Sequence, residues 1–191
     1  MSRSASDVAG VERTAVSGVW ERHVAERYAA KALLGSTSGG RWGPANRFPV
    51  IYLGRPSTSV IVEAYRHLID PFDGMTPDHV RPRALVRCEV NVNNVLDLRS
   101  AEARARVGLT AADIESDVDD YEACVEVGSR AHQLGCHGVV APSASRLGET
   151  LGLFPDHLPV EELPSVVSIT RWERLPPDPR RLRIVRAAEK G

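Results

Sequence analysis

The stretch SGGRWGPANRFPVIYLG, residues 38–54, carries the strongest structural and chemical signals in the chain. Two adjacent glycines permit a tight backbone approach, and Arg41 and Trp42 follow them directly. The run PVIYLG (49–54) is bounded by proline and glycine, which is typical of a short buried strand. Tyr52 is the single polar-tipped side chain in this run. A structural loop has no need for an arginine beside a tryptophan at this place, so the stretch predicts a turn that carries binding residues into a strand.

Working outward, periodicity predicts a mixture of strands and helices. Alternating or apolar runs predict strands at 18–24, 49–54, 83–90, 94–100, 138–145 and 166–175, and helical spacing predicts helices at 25–35, 55–70 and 110–134. These elements do not alternate in regular βαβ units, which favours a single α+β domain over a doubly wound sheet. Residues 1–16 are polar and predicted to be loosely ordered, so we place the domain at 17–186.

Composition excludes several classes of function. With 24 Lys+Arg against 25 Asp+Glu, the net charge of −1 provides no basic field for a nucleic-acid backbone. The three cysteines are odd in number and irregularly spaced, which favours a reducing compartment over a disulfide framework. No signal peptide or apolar run of transmembrane length is visible, so we expect a cytoplasmic protein without membrane contact.

The candidate site begins with the chemistry of three residues at equal spacing. Arg41 presents a rigid fork of donors suited to a phosphate or pyrophosphate. Eleven residues later stands Tyr52, and eleven further on Glu63 interrupts the apolar helical segment VIVEAY. Taken singly, each has an ordinary structural explanation: a surface ion-pair partner, a core tyrosine and a solvated helix residue. Only the combination indicates a site.

Common catalytic signatures are missing from the sequence. It contains no glycine-rich phosphate loop, no GxSxG elbow and no HExxH motif. The segment HQLGCHG (132–138), together with Cys88 and Cys124, has the residue types of a metal site, but its spacing matches no common zinc pattern. The sequence therefore predicts no metal.

The order of these motifs resembles a known family. The segments GGRW, PVIYLG, SVIVEAYRHL and, much later, GVVAPSAS resemble the RES domain, named for its Arg, Glu and Ser, over about residues 18–172. The family's positions would fall on Arg41, Tyr52, Glu63 and Ser143, with the arginine of its opening strand on Arg22. The chain departs from the family pattern at 43–48 (GPANRF), where we expect any difference in the shape of the pocket.

The resemblance implies a fold similar to the ADP-ribosyltransferases, with a mixed or antiparallel central sheet flanked by helices. It implies NAD⁺ as substrate, cleaved at the nicotinamide–ribose bond, and leaves water, inorganic phosphate or a protein as the acceptor. It also implies the toxin role of a toxin–antitoxin pair, with an Xre-like helix-turn-helix antitoxin that covers the NAD⁺ pocket. Whether the toxin forms a homo-oligomer within such a complex stays open.

The resemblance also assigns roles to residues. Glu63 would stabilise charge at the ribose, Arg41 would hold the pyrophosphate, and Tyr52 would contact nicotinamide or the ribose. The residues implied in NAD⁺ binding are Arg41, Tyr52, Ser143, Arg22, Trp42 and His23, with Arg22 suited to a phosphate acceptor. Two alternatives stay open: a protein ADP-ribosyltransferase, and a nucleotide-binding module without turnover.

Overall fold

A computed structural model describes residues 7–116 and 120–181. Residues 1–6 of the predicted N-terminal segment, and the predicted domain end at 186, lie outside the described residues. The strands are β1 (Arg13–Ala25), β2 (Ile51–Arg55), β3 (Arg83–Asp97), β4 (Gly138–Pro142), β5 (Glu149–Leu153) and β6 (Ser165–Trp172). The α-helices are α1 (Ser57–Leu68), α2 (Ala101–Arg106), α3 (Ala111–Glu115) and α4 (Glu122–Gln133). None of the helices in this part of the chain is long and apolar enough to span a membrane.

The strands form one mixed sheet that closes on itself. Its order is β1-β2-β5-β4-β3, and β3 pairs back onto β1 along the full length of both strands. The second edge of β3 is shared, because its first half pairs with β6 and its last residues pair with β4. Only the β3–β4 pair is parallel among these strands. The expected α+β fold with a mixed sheet is confirmed.

The closed sheet is weakest between β1 and β2. These two strands are paired at a single register position, Glu21 opposite Gly54. Elsewhere β1 is bonded to β3, and β2 is bonded to β5. The two strands can therefore diverge on either side of that one position, which leaves room for a cleft beside α1.

Apolar residues fill two main regions. The inward-facing residues of the closed sheet form one cluster that includes Trp20, Ile51 and Val140. A second cluster lies between the sheet and α4 and includes Trp42 and Phe154, both fully buried. Gly128 on α4 is needed for this packing, because a Cβ there would lie 2.1 Å from the carbonyl oxygen of Trp42.

Several elements differ from expectation. The predicted helix 25–35 is a short 3₁₀ helix, Glu26–Lys31, and the predicted helix 110–134 is divided into α3 and α4. The strand predicted at 94–100 is the end of β3, and β5 was not predicted at all. The described part of the N-terminal segment is ordered, because Val8 and Val11 are buried in the α4 cluster and β1 begins at Arg13.

Candidate functional site

A cleft of about 370 Å³ opens beside α1, at the position where β1 and β2 separate. Five of the seven predicted site residues line it: Arg22, His23, Arg41, Tyr52 and Glu63. They come from β1, the glycine-rich turn, β2 and α1, so the fold collects residues that are up to 41 positions apart, from Arg22 to Glu63. The sequence prediction of one shared site is consistent with this placement.

Glu63 lies on α1 and receives a hydrogen bond from a buried serine network. The Ser143 Oγ lies 3.2 Å from Glu63 Oε1, and the Ser59 Oγ donates to Ser143 Oγ at 2.9 Å. Ser145 Oγ lies 2.8 Å from Ser59 Oγ. Ser143 Oγ also lies 2.9 Å from Ser145 Oγ, so its single proton can go to Ser145 or to Glu63. When the hydroxyls donate in the order Ser145 to Ser59 to Ser143 to Glu63, the network ends on the carboxylate and helps to orient it.

Ser143 therefore acts behind the cleft wall. It is 2% exposed and reaches the cleft through Glu63, while its neighbour Ala144 supplies the lining surface. Ser59, which the sequence analysis missed, does line the cleft. Its position four residues before Glu63, one turn of the same helix, is a signal that could have revealed it.

Arg41 is anchored by a segment far away in the chain. Its Nη1 donates to the carbonyl oxygen of Asp113 at 2.8 Å and to Ser116 Oγ at 3.2 Å, and its Nη2 donates to the carbonyl oxygen of Ser116 at 2.9 Å. The guanidinium also lies over the ring of Tyr121, 4.3 Å from its centroid. These three hydrogen bonds all come from Nη1 and Nη2, and none of them uses Nε.

Tyr52 ties the glycine-rich turn to β2. Its hydroxyl accepts a hydrogen bond from the backbone N–H of Trp42 at 3.0 Å, and burial raises its pKa to about 12. The phenol is therefore neutral and keeps its own proton for donation. Gly40 is required here, because a Cβ at that position would lie 2.7 Å from the Tyr52 hydroxyl.

Trp42 does not wall the cleft, in contrast to the expectation for this residue. Its side chain is fully buried in the α4 cluster, and Gly152 of β5 packs against its ring. The atypical loop 43–48 also lies away from the cleft lining, which runs up to Arg41 and resumes at Tyr52. Its one large apolar side chain, Phe48, stacks on His132 of α4. The departure from the family pattern therefore lies behind the site and not in the cleft lining.

Arg22 and His23 supply polar groups from β1. The Nη1 of Arg22 donates to the carbonyl oxygen of Ala32 at 2.6 Å, whereas its Nε is buried with no partner among the described residues. Burial lowers the pKa of Arg22. Burial, assisted by the charge of Arg83, lowers the pKa of His23 to about 3. His23 is hence neutral at physiological pH, with Nδ1 accepting from Arg83 Nη2 at 2.9 Å.

Other lining residues were not singled out from the sequence. Tyr121, His67 and Glu21 all line the cleft. No sequence pattern identified Tyr121 as a site residue, because its position in the cleft depends on how α3 and α4 pack over the glycine-rich turn. Glu21 is buried; its Oε1 is paired with Arg87 at 3.1 Å, whereas its Oε2 has no hydrogen-bond partner among the described residues.

The chain is similar to several known proteins. The curated relatives include NAD(+) phosphorylase MbcT of Mycobacterium bovis and of Mycobacterium tuberculosis, each 35% identical over 112 residues. These alignments span 58% of this chain and 58% of the length of those relatives. The crystal structure of the M. tuberculosis MbcT–MbcA toxin–antitoxin complex superposes with a TM-score of 0.76 at 25% identity, covering 96% of both chains.

The family model itself covers most of the chain. The model of the RES domain matches residues 19–178, from β1 to the residues after β6. That range contains all seven predicted site residues. The protein therefore belongs to the RES domain family.

Proposed function

We propose that this protein is an NAD⁺-consuming toxin that cleaves the nicotinamide–ribose bond and transfers ADP-ribose to inorganic phosphate. The observation that carries the proposal is Glu63, a carboxylate that receives a hydrogen bond from the serine network and lines the same cleft as Arg41 and Tyr52. The relatives named NAD(+) phosphorylase support the reaction type.

The bond to be broken demands a negative group near the ribose. As the nicotinamide N1–C1′ bond breaks, its electron pair returns to the ring, which leaves as a neutral molecule. Positive charge then develops on the ribose, and a preoriented carboxylate stabilises it more in the transition state than in the ground state. Glu63 is suited to this role because Ser143 fixes one of its oxygens at 3.2 Å. Among the described residues, the other oxygen has no hydrogen-bond partner.

Arg41 and Tyr52 would orient the dinucleotide. The Nε–H of Arg41 and the second proton of Nη2 are not used by Asp113 or Ser116, so they are available to an anionic oxygen of the pyrophosphate. Tyr52 keeps a phenolic proton that can be donated to a ribose hydroxyl or to the nicotinamide amide. Both side chains are already held in place, so little ordering cost is added on binding.

Arg22 favours phosphate as the acceptor. Arg22 lines the cleft, and among the described residues its one hydrogen bond comes from Nη1, so the cleft-facing part of its guanidinium can form a charge-assisted bond to a phosphate oxygen. Attack by HPO₄²⁻ on C1′ also balances without a proton transfer: the C–O bond forms, the product keeps the phosphate proton, and nicotinamide leaves. Attack by water would require a base to accept a proton, whereas phosphorolysis requires no such base in the cleft.

We further propose that an antitoxin controls this activity by covering the cleft. Support comes from the structural neighbour, which is a toxin–antitoxin complex, and from the position of the cleft beside α1. An Xre-like helix-turn-helix protein is the expected type of partner. Coexpression with the protein encoded beside this gene should yield a stable complex in which NAD⁺ turnover is suppressed, and retention of full turnover in that complex would refute the control.

Product analysis tests the proposed reaction. Purified protein should release nicotinamide from NAD⁺ in the presence of phosphate and form ADP-ribose 1″-phosphate, while Glu63→Gln should lower turnover by about 10²–10³-fold. Glu126→Gln, an exposed change on α4, is the matched control and should leave turnover unchanged. NAD⁺ that stays intact with and without phosphate would refute the proposal. Free ADP-ribose would identify water as the acceptor, and labelled protein from tagged NAD⁺ would identify a protein acceptor.

A further inference from the structure

A second cluster of chemically active side chains lies outside the cleft. His132 near the C-terminal end of α4 meets Asp156 and His157, which follow β5. Each offers one ligand atom, and the three atoms lie within 4.8 Å of one another. Tyr121, which lines the cleft, directly precedes α4, and His132 lies eleven residues later on that helix, which corresponds to about 16 Å. The cluster is therefore separate from the cleft.

The two histidines are oriented by their surroundings. The ring of His157 donates from Nδ1 to the carbonyl oxygen of Cys136 at 2.9 Å, since a carbonyl can only accept. That bond leaves a lone pair on His157 Nε2, which is the arrangement that metal-binding histidines use. His132 is held between Phe48 and His157, with ring centroids 3.9 Å away on each side, and Phe154 packs at its edge.

The third member supplies charge. Asp156 Oδ2 lies 2.8 Å from His132 Nε2, and its side chain is 37% exposed. The cluster is thus walled by aromatic rings on one side and open to solvent on the other. A cation can enter from the open side, and one of the two stacked imidazoles would then turn out of the stack so that both rings present a nitrogen to the ion.

From this geometry we propose that His132, Asp156 and His157 form a binding site for a divalent transition-metal ion of the Zn²⁺ class. Two imidazoles and one carboxylate suit such ions, whereas Ca²⁺ and Mg²⁺ prefer all-oxygen shells. Bonds of about 2.0–2.2 Å would replace the His132–Asp156 hydrogen bond, and water would complete a tetrahedral shell. Binding would release the proton on His132 Nε2.

The ion would join three segments that are distant in sequence. It would tie the end of α4 to the residues after β5, and through the Phe48 stack to the atypical loop 43–48. That loop connects Arg41 with β2. The site is thus a structural one, which stabilises the region behind the cleft in proportion to the free metal concentration.

No metal was predicted from the sequence because the segment 132–138, with Cys88 and Cys124, matches no common zinc spacing. Of its residues, His137 bonds to Glu162 at 2.7 Å, and Cys136 is buried in the α4 cluster. Two of the three ligands come from residues 156–157, which no local spacing rule connects to His132.

Zinc titration of the full-length, metal-stripped protein tests the site. Calorimetry should show one Zn²⁺ per chain, and thermal unfolding should move to higher temperature with added Zn²⁺. Asp156→Asn keeps a hydrogen-bonding partner for His132 but loses the charged ligand, and it should weaken Zn²⁺ binding by about tenfold or more. His157→Ala should do the same, and neither readout involves NAD⁺.

The matched control is His79→Ala, which removes an exposed histidine outside the cluster and should bind Zn²⁺ as the wild type does. Failure of the wild-type protein to take up Zn²⁺ saturably would overturn the proposal. Equal affinity in the wild type, Asp156→Asn and His157→Ala would also overturn it, because it would place the metal elsewhere.

Discussion

Replacing Ser143 by alanine isolates the contribution of the serine network to Glu63. The change removes the hydroxyl that donates to Glu63 Oε1 at 3.2 Å but leaves the carboxylate itself in the cleft. A hydrogen bond to a charged group contributes about 1.5–3 kcal/mol. Because 3.2 Å is long for an O–H···O bond, the lower part of this range applies, about 1.5–2 kcal/mol. This corresponds to a loss of about 10- to 30-fold in kcat.

The assay is steady-state release of nicotinamide from NAD⁺ with phosphate present. We expect kcat to fall while KM for NAD⁺ changes little, because Arg41 and Tyr52 still hold the dinucleotide. Stability should decrease by only about 1 kcal/mol, since Ser59 can donate to Ser145 at 2.8 Å instead.

Ser145→Ala is the matched control for this experiment. It removes a neighbouring hydroxyl of the same network, yet the Ser143 proton can still go to Glu63, so kcat should stay within about threefold of the wild type. If Ser143→Ala kept full kcat, or if both variants lost the same activity, the proposed positioning of Glu63 by Ser143 would be refuted.

Three further changes test other parts of the site. Arg22→Gln should raise KM for phosphate by about tenfold or more and affect KM for NAD⁺ less, and equal changes in both would contradict an acceptor role. His23→Gln should flatten the pH dependence of the free energy of unfolding, measured with urea. In the folded protein the pKa of His23 is about 3, which is below its unfolded value. The contribution of His23 to stability is therefore complete above about pH 6.5 and is lost as the pH falls towards 3, by up to about 1.4 kcal/mol per pH unit. A variant as acid-sensitive as the wild type would contradict this. Gly40→Ala places a Cβ 2.7 Å from the Tyr52 hydroxyl and should destabilise the fold by about 1–3 kcal/mol in thermal unfolding, whereas an unchanged Tm would show that the turn can shift.

The fold was predictable where burial imposes a simple period. The alternation at 83–90 identified β3, and the apolar stripe of 55–70 identified α1, because each element buries one face. β5 was not predicted because Gly152 occupies a position where an apolar side chain would have indicated a strand. That glycine is explained by tertiary packing, since a Cβ there would lie 3.0 Å from the ring of Trp42.

The site was predictable where chemistry and motif coincide. Arg41, Tyr52 and Glu63 all line the cleft, and the arginine, the tyrosine and the carboxylate each had a chemical reason to be chosen. Trp42 had the same kind of reason but is fully buried, because an indole is also the largest filler for a core. Residue type alone does not distinguish these two uses.

The segments that hold Arg41 and Glu63 in place lie far from them in the sequence. Arg41 is fixed by residues 72 and 75 positions later, and Glu63 by a serine 80 positions later. Tyr52, by contrast, is fixed locally by Trp42. The positions of these two charged groups therefore depend on α3 and on the loop after β4. Neither segment contributes an arginine or a carboxylate to the cleft lining. Changes that displace the backbone of residues 113–116 should consequently reduce activity as substitutions in the cleft would, because the carbonyl oxygens of Asp113 and Ser116 hold Arg41 in a geometry that its own motif does not impose.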